Sequence, residues 1–257
     1  MLPARKGSRI NKDAYYKVIY CDALFTSLKR GSSYSQEALP IIYGVKEDNT
    51  REVLLLEVNP TESSSVWEEY LESLKHRGVE QVDLIVADGL PGFSQVTRKH
   101  FPGTDIQRCV VHLQRGLLSK VRPKDKAAFS GAIKEAFNNF DKSSSQELAR
   151  EKLQEVARKW EGSYGSVVKK LTDEEFIHDY LTYLCYPVEV RGQLYTPHSL
   201  ENLTRPIRGV TKSKVSFAKS ENLLDLVYMV VKDFESNNWQ KYAVNNFQYW
   251  PRNTQLL

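Results

Sequence analysis

The chain has 257 residues, 41% hydrophobic and 26% charged, which is the balance of an ordinary folded chain and argues against global disorder. No run approaches the eighteen or so uninterrupted apolar residues of a membrane span, and the basic, polar start from Met1 to Lys12 has no apolar block behind it, so the expectation is an unprocessed cytoplasmic chain with no membrane partner. The net charge of +4 permits a polyanionic partner without requiring one, while Cys21, Cys109 and Cys185, far apart and without a CxxC pair, offer neither a disulfide framework nor a four-cysteine zinc site.

Residues Tyr15–Leu24 are rich in β-branched and aromatic side chains and predict a strand ending near Asp22. Leu39–Val45 and Glu52–Val58 predict two more, joined by Glu47-Asp48-Asn49-Thr50, whose polar residues suit a tight turn, so the three form an antiparallel meander. From Ser63 the period changes. Val66, Trp67, Tyr70, Leu71 and Leu74 recur at helical spacing, with serines in front as caps and Gly78 behind as a stop. Val82–Ala87, ended by Asp88-Gly89, predicts a buried strand parallel to the first. Leu90–His100 reads as helix, and Thr104–Val111 as a last strand or a strand running into helix. Beyond His112 the pattern is helical, over Ala127–Phe140, Gln146–Trp160 and again through Val167–Leu184. An irregular stretch is expected after Tyr186-Pro187, then helices from about Ser199 and from Leu223 to Trp239.

Three carboxylates stand out in this frame: Asp22 at the end of one apolar run, Asp88 at the end of another, and Glu201 opening a much later helix. Acids on the first strand and on its parallel neighbour meet at one end of a sheet, and a helix packed across that end supplies the third. Such oxygens are hard ligands of the kind Mg²⁺ takes, and paired ions serve phosphodiester cleavage. Asp before Gly is also ordinary turn chemistry, so Asp88 taken alone reads as a turn residue. Asp22, flanked by Cys21 and Ala23 in an apolar strand, needs a partner. Directly after Glu201, the stretch Arg205–Lys219 carries Arg205, Arg208, Lys212, Lys214 and Lys219 with no acid between them; alone it is a solvated face, and beside a metal site it is a phosphate track.

Five blocks occur in order: Asp22-Ala23-Leu24; Trp67 and Leu71 with Lys75-His76-Arg77-Gly78; Ala87-Asp88-Gly89-Leu90-Pro91-Gly92-Phe93; Gln107-Arg108-Cys109-Val110-Val111-His112; and Tyr195-Thr196-Pro197-His198-Ser199-Leu200-Glu201. Together they resemble the Mutator-type DDE transposases of bacterial insertion sequences, across roughly Tyr15 to Tyr242. The resemblance implies an α/β fold, a ribonuclease-H-like mixed five-stranded sheet flanked by helices, with an all-helical insertion before the catalytic Glu. The implied division is a basic tail over 1–12, the first part of the core over 13–115, the insertion over 116–190, and the rest of the core over 191–257. It also implies that Asp22, Asp88 and Glu201 hold Mg²⁺, with Mn²⁺ as a substitute. The implied reaction is hydrolysis of a phosphodiester at the element's end, after which the freed 3′-hydroxyl attacks target DNA. The implied partners are double-stranded DNA, as terminal inverted repeats and target, and further copies of the chain assembled on it.

Cys109 and His112 match the family's C-x-x-H motif. Two ligands make half a tetrahedral zinc site, so the preferred reading has Cys109 packing as a small apolar residue and His112 hydrogen-bonding near the carboxylates or DNA. Arg108 and Arg115 are within reach of phosphates in that reading, with solvated arginines as the plain alternative. Trp67 and Trp160 invite base stacking, although both lie on helical patterns where core packing is commoner; Trp160, in the insertion, is the better candidate. His198 stands one helical turn before Glu201, where the family pattern usually has Asn. Asn202 and Thr204 also depart from the family's Arg and Asn, and the family's N-terminal DNA-reading region is expected to be missing. Two alternatives therefore stand beside a transposase core: a truncated, inactive remnant that only binds DNA, and a ribonuclease-H-like nuclease.

Overall fold

A computed structural model describes residues 13–30, 33–59, 63–89, 91–138, 141–195, 198–213 and 220–251, with backbone alone at 28–30, 34, 198–201, 212–213 and 220. It divides into two compact units, residues 1–105 with 197–248 and residues 106–196 with 249–257.

The first unit opens with β1 (Tyr15–Arg30), β2 (Ser33–Val45) and β3 (Arg51–Leu56). The predicted meander is present, but β1 does not end near Asp22. It continues to Arg30 because residues Asp22–Arg30 pair antiparallel with Ser33–Ile41 of β2, so the hairpin outruns the apolar run that announced it. The turn between β2 and β3 is made as its residues predict: Asn49 takes a left-handed φ of 68°, and the Asp48 carboxylate accepts from the Thr50 N–H and hydroxyl at 2.9 and 2.6 Å.

Helix α1 (Ser64–His76) starts at Ser63, whose hydroxyl accepts from the Val66 N–H, and buries Trp67, Tyr70, Leu71 and Leu74. Gly78 then turns the chain with a φ of 99° into β4 (Gln81–Ala87), which pairs parallel to β1. Helix α2 (Phe93–His100) follows, then β5 (Asp105–Arg108), which begins at the last residue of this segment of the first unit and continues into the second. The sheet order is β3-β2-β1-β4-β5, a mixed five-stranded, ribonuclease-H-like arrangement. One face packs Ile19, Cys21, Ile42 and Ile85 against α1; elsewhere in the unit Tyr20 stacks on Tyr43 at 4.8 Å, and Tyr43 meets Trp239 at 4.7 Å.

The second unit is helical: α3 (Val110–Leu118), a 3₁₀ turn at Pro123–Asp125, α4 (Lys126–Phe137), α5 (Gln146–Val168), α6 (Glu174–Leu181) and α7 (Val188–Tyr195). Helix α5 outlasts the prediction by running past Trp160, and its backbone leaves helical geometry at Tyr164. Helix α7 occupies the stretch expected to be irregular. It starts behind Pro187, whose carbonyl accepts from the Val190 N–H at 3.0 Å, and it carries the buried Arg191. That guanidinium donates to the carbonyls of Tyr186, Leu184, Asp141 and Ser144. The tertiary bonds hold a helix whose own sequence has little amphipathic pattern.

The chain then returns to the first unit with α8 (His198–Ser213) and α9 (Ser220–Phe234), which runs into a π turn at Glu235–Trp239. Leu203, Thr204 and Ile207 are buried on α8, and α8 packs against β1 and α9. The buried Glu235 carboxylate accepts from the Val53 N–H at 2.5 Å, closing part of the edge that β3 would otherwise expose.

Candidate active site

The last parallel pair between β1 and β4 is Cys21 with Ala87, so Asp22 and Asp88 follow one step later on neighbouring chains. Adjacent strands lie about 4.8 Å apart. From such positions two carboxylates can reach one cation, whose oxygens sit at about 2.1 Å for Mg²⁺. Both acids are half-buried, and one Asp22 oxygen accepts from the Ala23 N–H at 2.8 Å. Behind Asp22, burial and then the Asp22 charge push the Cys21 thiol up, so it stays a neutral packing group.

Glu201 lies in the first turn of α8, three residues before the buried Thr204. Because α8 packs on β1, the strand carrying Asp22 and the helix carrying Glu201 are neighbours in one unit. The side chains of Glu201, His198 and Lys212 lie outside the described residues, as do Lys214 and Lys219 entirely. Arg205 and Arg208 are exposed on α8. Pro206 sits inside this helix, where it removes the N–H that would bond the Asn202 carbonyl.

The other predicted residues fall in the helical unit. Cys109 caps α3 and is 1% exposed. His112 is half-buried in the first turn of α3, and Arg115 is exposed in its last turn. Arg108 lies over the rings of Tyr180 and Phe176, 5.2 and 5.8 Å from their centroids. Trp160 is half-buried against Phe129 at 5.4 Å and Tyr164 at 5.9 Å, whereas Trp67 is a core residue of the first unit at 3% exposure.

Sequence reasoning misses Gln107 as a site residue. It is fully buried, and its amide accepts from the Tyr183 N–H at 2.7 Å while donating to the carbonyls of Tyr180 and Arg108. It thereby fixes the segment that leads into Cys109 and His112. An amide with Ile106 before it and Cys109, Val110 and Val111 close behind is the signal that could have found it, since a buried amide needs partners.

The sequence profile described as "Transposase, Mutator family" matches residues 8–242. The chain belongs to the Mutator family of transposases. Among similar proteins, the transposase for insertion sequence element IS1201 of Lactobacillus helveticus is 32% identical, over 80% of this chain and 54% of that one. The transposase for IS905 of Lactococcus lactis is 29% identical, over 89% of this chain and 56% of that one. The chain thus spans about half the length of the curated relatives it matches. A solved Drosophila P element transposase strand transfer complex aligns over 96% of this chain and 69% of that chain, at 12% identity and a TM-score of 0.30, too low to bear on the fold. Among the described residues of this transposase-family chain, no helix is long and apolar enough to cross a membrane.

Proposed function

We propose that this chain is the catalytic core of a DDE-type transposase, cutting double-stranded DNA at the ends of an insertion element and joining it to a target. The observation that carries the reading is the register: Cys21 pairs with Ala87, the last residue of β4, so that Asp22 and Asp88 each follow one residue later, and β1 packs against the helix that bears Glu201.

Three carboxylates are a hard oxygen donor set, which fits Mg²⁺ or Mn²⁺ and suits no soft metal. Asp22, Asp88 and Glu201 would hold it, and when bound it would activate the attacking oxygen and stabilise the leaving one. The strands fix Asp22 and Asp88, so little reorganisation remains when substrate arrives. Arg205 and Arg208, exposed on the helix of Glu201, with Lys212 beyond them, would hold the phosphate backbone on either side of the scissile bond. His198, Cys109 and His112 would support the site, Arg108 and Arg115 the DNA beside it, and Trp160 would offer a stacking surface in the helical insertion between Asp88 and Glu201. The working form would be several copies assembled on element ends in the cytoplasm.

The test is Mn²⁺-dependent cleavage and strand transfer on linear duplex DNA carrying the element's ends, comparing the wild-type chain with Asp88→Asn and Glu201→Gln. Activity should vanish in both variants. Activity that persists in either would overturn the assignment.

A further inference from the structure

Between the helices α3 and α4, residues 115–126 carry five cations, Arg115, Lys120, Arg122, Lys124 and Lys126, against one acid, Asp125. Their net charge equals the formal excess of the whole 257-residue chain. All five cations are exposed.

The segment is built to hold them outward. Val121 within it and Phe129 just beyond it are buried and anchor it. Its backbone is bonded through, with Lys120 N–H to Leu117, Val121 N–H to Leu118 and Asp125 N–H to Arg122. Arg122 lies over the Tyr164 ring, 5.5 Å from its centroid, and donates to that hydroxyl at 3.1 Å. The Tyr164 hydroxyl in turn donates to Asp125, which is also 3.4 Å from Arg122. The lone acid is therefore engaged within the turn. Among the described residues, Arg115, Lys120, Lys124 and Lys126 make no ion pair, although other surface cations do, such as Lys46 with Asp13 and Arg150 with Glu174. Four unpaired like charges on an ordered turn repel one another, and a polyanion relieves that repulsion.

The surroundings narrow the partner. Among the described residues, the exposed large hydrophobics are Phe25, Met229, Tyr242 and Tyr249, and none is in this turn. Its own residues offer no exposed aromatic anchor, and the nearby Trp160 ring is half-buried against Phe129 and Tyr164 rather than presented on the turn. We infer that the α3–α4 turn is a second phosphate-binding surface, one that grips the backbone of duplex DNA without reading its sequence. The inference rests on the transposase reading and adds to it a contact far along the chain from Arg205 and Arg208.

The experiment is fluorescence anisotropy of a labelled random-sequence duplex across a salt series. It compares the wild-type chain, Lys120→Gln/Lys124→Gln/Lys126→Gln, and a control of equal charge in exposed positions of the same unit, Lys134→Gln/Lys142→Gln/Lys159→Gln. Each lost phosphate contact removes about 0.9 from the slope of log affinity against log salt. The turn variant should lose about 2.7, and the control should keep the wild-type slope. Equal slopes in wild type and turn variant, or equal losses in both variants, would overturn the turn as the surface while leaving the transposase reading intact. No duplex binding by the wild-type chain would overturn both.

Discussion

Asp22 lies within β1 and Asp88 is the first residue after β4, so the register of the two strands brings their backbones close before any ion arrives. A divalent ion that binds the folded chain alone should stabilise it, by about 2.7 kcal/mol at one hundred times its dissociation constant. Thermal unfolding with and without Mn²⁺ should therefore show a rise in Tm for the wild-type chain and none for Asp22→Asn/Asp88→Asn. An equal rise in both would place the ion elsewhere. A different residue-scale constraint lies in β2, where a Cβ added at Gly44 would meet the Tyr16 ring at 2.3 Å, against a side chain that is fully buried. Gly44→Ala should cost about 1–3 kcal/mol as overpacking, read as a lower denaturant midpoint at an unchanged slope.

Elements were legible where one sequence signal and one structural partner coincide. Helix α1 has a serine cap, an apolar stripe and a stopping glycine, and all three act as written. The far arm of β1 was not legible, because Thr26 to Arg30 lacks an apolar run and is extended through its pairing with β2. Helix α7 was hidden for a related reason. It is secured by Arg191, whose partners lie in two separate segments, 141–144 and 184–186, and no local pattern encodes such contacts. Likewise the acids could be picked out by type and position, while their common level depended on the register of β1 with β4. Arg191 supplies the test at this scale. Replacing it with Met leaves the carbonyls of Tyr186, Leu184, Asp141 and Ser144 short of a buried donor, at about 3 kcal/mol or more. Arg191→Lys should recover part of the loss, since one ammonium has fewer donors than the guanidinium. Hydrogen exchange should show the weakening in α7 and its neighbours; unchanged protection there would refute the staple role.

At the scale of the whole molecule, buried tyrosines set a limit on stability at high pH. Burial raises the phenols of Tyr16 and Tyr20 above the ordinary tyrosine range in the first unit. In the helical unit, burial pushes Tyr195 up to about 12, opposed by the hydrogen bond from Gln114. For each, the folded chain keeps a proton that the unfolded chain releases above pH of about 10. Stability from these groups is thus complete below that pH and is lost as pH rises towards the folded values. For Tyr195 the window is from about 10 to about 12. A window of that width corresponds to about 2.7 kcal/mol, and the partial exposure of Tyr195 reduces this to about 1–2 kcal/mol. Denaturant midpoints measured from pH 8 upward should stay level and then fall above about pH 10. Tyr195→Phe should flatten only part of that fall, because Tyr16 and Tyr20 remain. Exposed tyrosines such as Tyr242 and Tyr249 contribute tyrosinate absorbance while the fold persists, and the share from the buried phenols should appear only together with unfolding. If the whole tyrosinate amplitude developed while the fold persisted, the buried phenols would be open to water, and the packing that seats Tyr20 on Tyr43 would have to be looser than the ring geometry describes.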